Sequence, residues 1–198
     1  MTKTLYGDSI SGNCLKGKWV AELLNIPLEW VETSVVKQET RTPQFLALNP
    51  VGQVPVLVLD DGRVLAQSNA IMLHLAEGSP LIPADAYDRA KMYEWLFWEQ
   101  YNHEPNIASR RFLVAHLKKE PPPHMLQRGE AALARMDMQL KQAPYLVGDA
   151  LSLADIALVA YTRVAHEGGF DLAKFPAVEA WIARVDRELG LPPVAKAA

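Results

Sequence analysis

The chain has 198 residues, 49% of them hydrophobic and 22% charged, which is the make-up of a globular protein large enough to bury a core without metal or disulfide staples. Its formal net charge of −3, with no lysine/arginine tract, argues against nucleic-acid binding as the main role. The single cysteine, Cys14, excludes an intramolecular disulfide, and no apolar run reads as a signal peptide or membrane span, so a cytoplasmic location with no membrane partner is expected.

Along the first eighty residues the element types alternate. Thr4-Leu5-Tyr6 is a short strand ending at Gly7. Leu15, Trp19, Val20, Leu23 and Leu24 recur at helical spacing until Asn25-Ile26-Pro27 closes the helix. Leu28 to Val31 is a second strand, and Thr42 to Leu48 a short helix entered through Pro43. Val56 to Leu59 and Val64 to Ala66 form a hairpin around Asp61-Gly62. Ser68-Asn69 opens a helix containing Ile71, Met72 and Leu75. A strand–helix–strand crossover gives a parallel pair, and the hairpin adds an antiparallel edge.

Gly78 to Pro83 breaks the pattern and reads as a linker. Beyond it no strand signal occurs. Ala86 to Leu117 is helical, and most of its aromatic run, Tyr93, Trp95, Phe97, Trp98 and Tyr101, is expected in the core; Pro105 should kink the helix. Pro121-Pro122-Pro123 interrupts before a helix from Met125 to Lys141. Ser152 to Asp155 is a capping box opening a very apolar helix, and Pro176 starts a final one with Val178, Trp181, Ile182 and Val185. The expected domains are residues 1–78, α/β; 79–85, a linker; and 86–198, all-helical.

Four stretches carry the chemistry: Tyr6 to Cys14 between the first strand and helix, Asn49-Pro50-Val51-Gly52-Gln53-Val54-Pro55-Val56, Gln67 to Ile71, and Tyr145 to Asp155. In this order and spacing they resemble the cytosolic glutathione transferases of the bacterial, serine-using type. The resemblance covers nearly the whole chain and implies a thioredoxin-like α/β domain followed by an all-α domain. It also implies glutathione as co-substrate and a homodimer. By the resemblance, Gln67 and Ser68 hold the γ-glutamyl carboxylate, which the donors at a helix N-terminus suit. Read alone, Ser68 would be an N-cap. The peptide before Pro55 would be cis, with the backbone of Val54 pairing with the cysteinyl part and Gln53 reaching the γ-glutamyl end. Arg41, in preference to Lys37, would meet the glycyl carboxylate.

Conjugation needs the thiolate. A free thiol has a pKa near ~8.5, and lowering it by about two units requires ~2.7 kcal/mol of preferential stabilisation. A charge-assisted hydrogen bond contributes roughly 1.5–3 kcal/mol and a helix N-terminus roughly 0.3–1, so one well-placed hydroxyl suffices without a general base. Ser11 is the favoured hydroxyl, with Ser9 and Tyr6 as alternatives; Ser11 could equally cap the first helix. Cys14 stands three residues after Ser11 and reads as a small buried residue, so a dithiol cycle is excluded.

The electrophile, a small apolar molecule, is expected against the helical domain at Tyr101, Pro105 and Ala108, which share one helical face. The five histidines show no metal-ligand spacing, and no metal is expected. The function expected is glutathione transfer to apolar electrophiles, as in detoxification. A non-catalytic docking module of the same fold and a glutathione-dependent reductase or peroxidase acting through Cys14 are the alternatives.

Overall fold

A computed structural model describes residues 2–193, so the ends of the expected first and last domains, Met1 and residues 194–198, lie outside the described residues. The chain divides into two compact units, one ending at Ser79 and the next beginning at Pro80.

In the first unit, strands β1 (Lys3–Gly7), β2 (Leu28–Glu32), β3 (Val56–Val58) and β4 (Val64–Ala66) form one sheet in the order β2-β1-β3-β4. β1 runs parallel to β2, with Leu5 opposite Trp30, and antiparallel to β3, with Leu5 opposite Leu57. β3 and β4 are the expected hairpin; Gly62 takes φ +83°, and its N–H donates to the Leu59 carbonyl at 2.9 Å.

Helix α1 (Gly12–Leu23) ends as its sequence predicts. Asn25 adopts φ +54°, its N–H bonds the Glu22 carbonyl, and the Ile26 N–H bonds the Ala21 carbonyl at 2.8 Å. This double closure satisfies the last carbonyls of the helix, and Pro27 prevents its resumption. The buried face of α1 is not the leucine face. Leu15, Leu23 and Leu24 are half-buried, whereas Cys14, Gly17, Val20 and Ala21 are fully so. Small residues define this face because α1 lies close on helix α3 (Ser68–Leu75): a methyl on Gly17 would stand 3.1 Å from the Ile71 Cγ2 atom. Helix α2 (Pro43–Leu48) is capped by Thr42, whose Oγ1 accepts the Phe45 N–H at 3.3 Å.

The second unit is helical, with no strand among its described residues. One continuous helical run comprises α4 (Ala86–Trp98), a π turn (Glu99–His103), α5 (Glu104–Arg111) and a second π turn (Phe112–His116). The expected disturbance at Pro105 takes the form of that first π turn. A proline inside a helix lacks an N–H and crowds the carbonyl four residues back, and a wider turn accommodates both. The Asn106 amide donates to the Asn102 carbonyl at 2.7 Å within the same stretch.

The aromatic run is less buried than its composition suggests. Trp95 and Leu96 are core, but Phe97 is 74% and Tyr101 83% exposed. Trp98 is half-buried because the Arg135 guanidinium covers it, 4.6 Å from the ring centroid.

Helices α6 (Pro123–Leu140), α7 (Leu153–Thr162) and α8 (Pro176–Glu188) complete the unit. Every residue of α7 is buried, as its apolar sequence requires, and Val178, Trp181, Ile182 and Val185 turn inward from α8. The Asp155 carboxylate closes the expected capping box and does more. It accepts the N–H and hydroxyl of Ser152 at 3.0 and 2.9 Å, the Leu146 N–H at 2.9 Å and the Trp181 indole N–H at 2.8 Å. One fully buried side chain thus joins the 145–152 loop, the start of α7 and α8. Leaving a buried donor unpaired costs about 1–3 kcal/mol. Asp155→Ala is therefore expected to destabilise the protein by at least ~3 kcal/mol, read as a fall in the urea unfolding midpoint, whereas Asp149→Ala on the exposed loop should leave it unchanged.

Candidate active site

Strand β1 carries Tyr6, the β1–α1 loop carries Ser9 and Ser11, and two carboxylates shape that loop. Asp8 is buried; its Oδ1 accepts the Ile10 N–H at 3.1 Å and its Oδ2 the Val35 N–H at 2.7 Å. The Asp8 carbonyl accepts the Ser11 N–H at 2.9 Å. Glu32, at the end of β2, accepts both the N–H and the hydroxyl of Ser9, at 2.9 and 3.0 Å, and the Trp30 indole N–H at 2.8 Å. The Ser9 hydrogen is therefore directed at Glu32. Tyr6 is half-buried and rests edge-on against Phe45 of α2, 6.3 Å between ring centroids, while its neighbour Leu5 packs toward Gly17 of α1 on the other sheet face.

Ser11 stands immediately before α1 in extended backbone, φ −93° and ψ 114°, and its side chain makes no capping bond. The hydroxyl interacts instead with the thiol of Cys14. Burial pushes that thiol up to about 11, against the pull of Ser11, with the carboxylates of Asp8 and Glu32 adding to the rise. Cys14 is fully buried, and its raised pKa keeps the thiol protonated at neutral pH.

The second corner lies at the start of α3. Gln67 holds φ +73° and ψ 115°, a left-handed conformation that costs a non-glycine residue about 1–3 kcal/mol and clusters at ligand clamps. Ser68 is the first residue of the helix and not its cap, which is Gln67. The Ser68 hydroxyl donates across to the Asn13 side-chain oxygen at 3.2 Å, and that oxygen also receives the Lys16 ammonium at 2.7 Å. Lys16 is completely buried, although lysine seldom is. The first turn of α3 contributes N–H groups that have no carbonyl four residues back.

The third corner is the 49–55 loop. Buried Asn49 accepts the Val51 N–H at 3.2 Å and donates to the Gln53 carbonyl at 2.8 Å. Arg41 is exposed, and its guanidinium donates to the Val51 carbonyl at 3.1 Å. Gly52 lies beneath it with φ +68°; a methyl there would stand 2.4 Å from the Arg41 Nη1. Gln53 is exposed, Val54 half-buried and Pro55 buried, and the Val54–Pro55 peptide is cis.

Asn49, Asp8, Glu32 and Asn13 escape a reading of the sequence for ligand groups because each acts on backbone or on another side chain. The local signatures of Asp8 and Asn49, each two residues before the loop N–H it accepts, are the part visible in sequence. On the helical unit Tyr101 and Pro105 are exposed and Ala108 is buried, so the π turn leaves the three unequally displayed. Among the described residues no group of His, Cys, Asp or Glu could hold a metal ion, and no helix is long and apolar enough to cross a membrane.

Known proteins share this fold. The glutathione S-transferase N-terminal domain model matches residues 10–77, and the glutathione S-transferase C-terminal domain model matches residues 104–188. Glutathione S-transferase 1 of Dianthus caryophyllus is 32% identical over 182 residues, covering 87% of this chain and 81% of the relative. A glutathione S-transferase structure from Xanthobacter autotrophicus Py2 is 47% identical with a TM-score of 0.88, covering 98% of this chain and 96% of that one. A possible glutathione S-transferase from Rhodopseudomonas palustris is 41% identical with a TM-score of 0.91, over the full length of both. The chain belongs to the glutathione S-transferase family.

Two outcomes follow from the loop's chemistry. Partial burial works against the Glu32 carboxylate, but the Ser9 N–H, the Trp30 indole, the Ser9 hydroxyl and the Lys37 charge outweigh it and hold its pKa below the usual range. A depressed carboxylate stabilises the fold above its unfolded pKa of about 4.3 and loses that contribution as pH falls through the lower folded value. Wild type should therefore melt higher than Glu32→Gln at pH 7, with the gap closing on acidification through that window. For Cys14, a small alkylating reagent should leave the native thiol unmodified at pH 8 and label it once denaturant is added, as mass spectrometry would report.

Proposed function

We propose that this glutathione transferase stabilises the thiolate of bound glutathione with the Ser11 hydroxyl and transfers it to small apolar electrophiles. The observation that carries the assignment is the contrast among the three hydroxyls. Ser11 occupies the α1 N-terminus without capping it and already meets a thiol, that of Cys14, whereas Ser9 is bonded to the Glu32 carboxylate and Tyr6 lies against Phe45.

The tripeptide lies along the three corners. Its γ-glutamyl carboxylate is received by the N-terminal turn of α3 at Ser68, whose hydroxyl turns to it from Asn13, with Gln67 and Gln53 alongside. The cysteinyl backbone pairs with Val54 ahead of Pro55, in the manner of an added strand. The glycyl carboxylate approaches Arg41, whose guanidinium has donors beyond the one given to Val51. Ser11 then donates to the sulfur, and the α1 N-terminus adds its partial positive charge. Asp8 and Glu32 work against any thiolate at this helix end, as they do at Cys14, so the hydroxyl and the helix must together exceed that opposition.

The electrophile is taken up beside Tyr101, Pro105 and Ala108. The protein is a cytoplasmic homodimer in this reading, and the exposed rings of Tyr87 and Phe97, 72% and 74% accessible, support self-association.

Calorimetric titration with glutathione and a conjugation assay with an aryl halide test the proposal. Ser11→Ala is expected to lower kcat/KM about 10- to 100-fold, the equivalent of a charge-assisted hydrogen bond. Glutathione affinity should change less than about threefold, and the rise of activity with pH should move to higher pH. Full activity in Ser11→Ala would reject the hydroxyl assignment, and absence of glutathione binding by wild type would reject the proposal as a whole.

A further inference from the structure

We propose that Asp8 is a positioning residue for the reaction: by tying the β1–α1 loop to the segment after β2, it fixes where the Ser11 hydroxyl meets the sulfur. This rests on the reading of Ser11 given above.

Asp8 touches three points of backbone. Its Oδ1 takes the Ile10 N–H, its carbonyl takes the Ser11 N–H, and its Oδ2 reaches 27 residues onward to the Val35 N–H at 2.7 Å. The first two bonds fold residues 8–11 into a tight turn. The third anchors that turn to the chain leaving β2, where the Thr33 N–H also bonds the Gly7 carbonyl at 2.8 Å. Ser11 therefore hangs from a turn fastened to the chain around the end of β2 by two carboxylates, of which buried Asp8 closes the turn itself while Glu32 holds Ser9. Placement matters because a hydrogen bond weakens steeply outside about 3.2 Å and 120°, and an error near 1 Å in a reacting geometry costs about 100-fold.

Both carboxylate oxygens accept from backbone N–H groups. Asp8→Asn, although isosteric, must direct its NH2 at one of those N–H groups, so the clamp opens. The same substitution removes a negative charge near the α1 N-terminus. Charge removal alone would favour a thiolate there and lower its pKa; loss of positioning would raise it. The two roles have opposite signs. Asp8→Glu separates them further, since it keeps the charge and displaces both acceptor oxygens by one methylene. Glu32, Lys37, Glu39, whose carboxylate takes the Ser34 N–H at 2.6 Å, and Lys16 of α1 are charged groups near this loop that stay unchanged in either variant.

The experiment measures the thiol pKa of enzyme-bound glutathione from the ultraviolet absorbance of the thiolate, together with glutathione affinity and kcat. Both Asp8→Asn and Asp8→Glu are expected to raise the bound thiol pKa by about one unit and to lower kcat below neutral pH by roughly tenfold. Glutathione affinity should stay within about twofold of wild type. A lower pKa in Asp8→Asn, or an unchanged one in Asp8→Glu, would overturn the inference and leave Asp8 as an electrostatic or purely structural residue. Failure of both variants to reach a native circular dichroism spectrum would assign Asp8 to the fold alone and overturn it equally. Ser11→Ala is measured first: if its bound thiol pKa equals that of wild type, the Ser11 reading fails, and with it a role of Asp8 exerted through Ser11.

Discussion

Gly17 lets α1 lie against Ile71 of α3, and the geometry of the first unit follows from that approach. The two helices lie together on one face of the sheet, so their N-termini open side by side. Asn13 then spans them, taking the Ser68 hydroxyl from one and the Lys16 ammonium from the other. A methyl at position 17 would stand 3.1 Å from the Ile71 Cγ2 atom, so Ile71 would have to give way by a few tenths of an ångström. The side-chain oxygen of half-buried Asn13 is met by two donors, so a polar group is satisfied beside the apolar contact of the two helices.

The loops around this pair are held mainly by side chains bonding to backbone. Asp8, Glu32, Asn49 and Arg41 each fasten a segment that lacks regular structure of its own. Irregular backbone needs such partners because its N–H and carbonyl groups find no ladder to join. The same economy recurs in the second unit, where Asp155 takes donors from two backbone and two side-chain groups and so orders the segment before α7.

Much of this was legible in the sequence, for definable reasons. The Asn25-Ile26-Pro27 stop, the Thr42-Pro43 start, the Asp61-Gly62 turn and the Ser152–Asp155 box are local signals whose chemistry acts over three or four residues, and each forms. The exposure of Phe97 and Tyr101 was not legible, because an aromatic side chain carries no mark of what covers it. Nor was the π turn, since Pro105 announces a disturbance but leaves open whether the helix bends or widens. Buried Lys16 was invisible for the opposite reason: its partner Asn13 is near in sequence, but the burial depends on packing that residue types do not reveal. Within the site the sequence favours Ser11, at the start of the first helix, and leaves Ser9 and Tyr6 as alternatives. Their hydrogen-bond and ring partners distinguish them.

The Asn13 bridge also ties the starts of the two helices to one another. Its side-chain oxygen, met by the Lys16 ammonium of α1, receives the Ser68 hydroxyl of α3, so both helix ends belong to one hydrogen-bonded network. A change at Lys16, which is completely buried, would therefore be felt at the start of α3 as well as within its own helix.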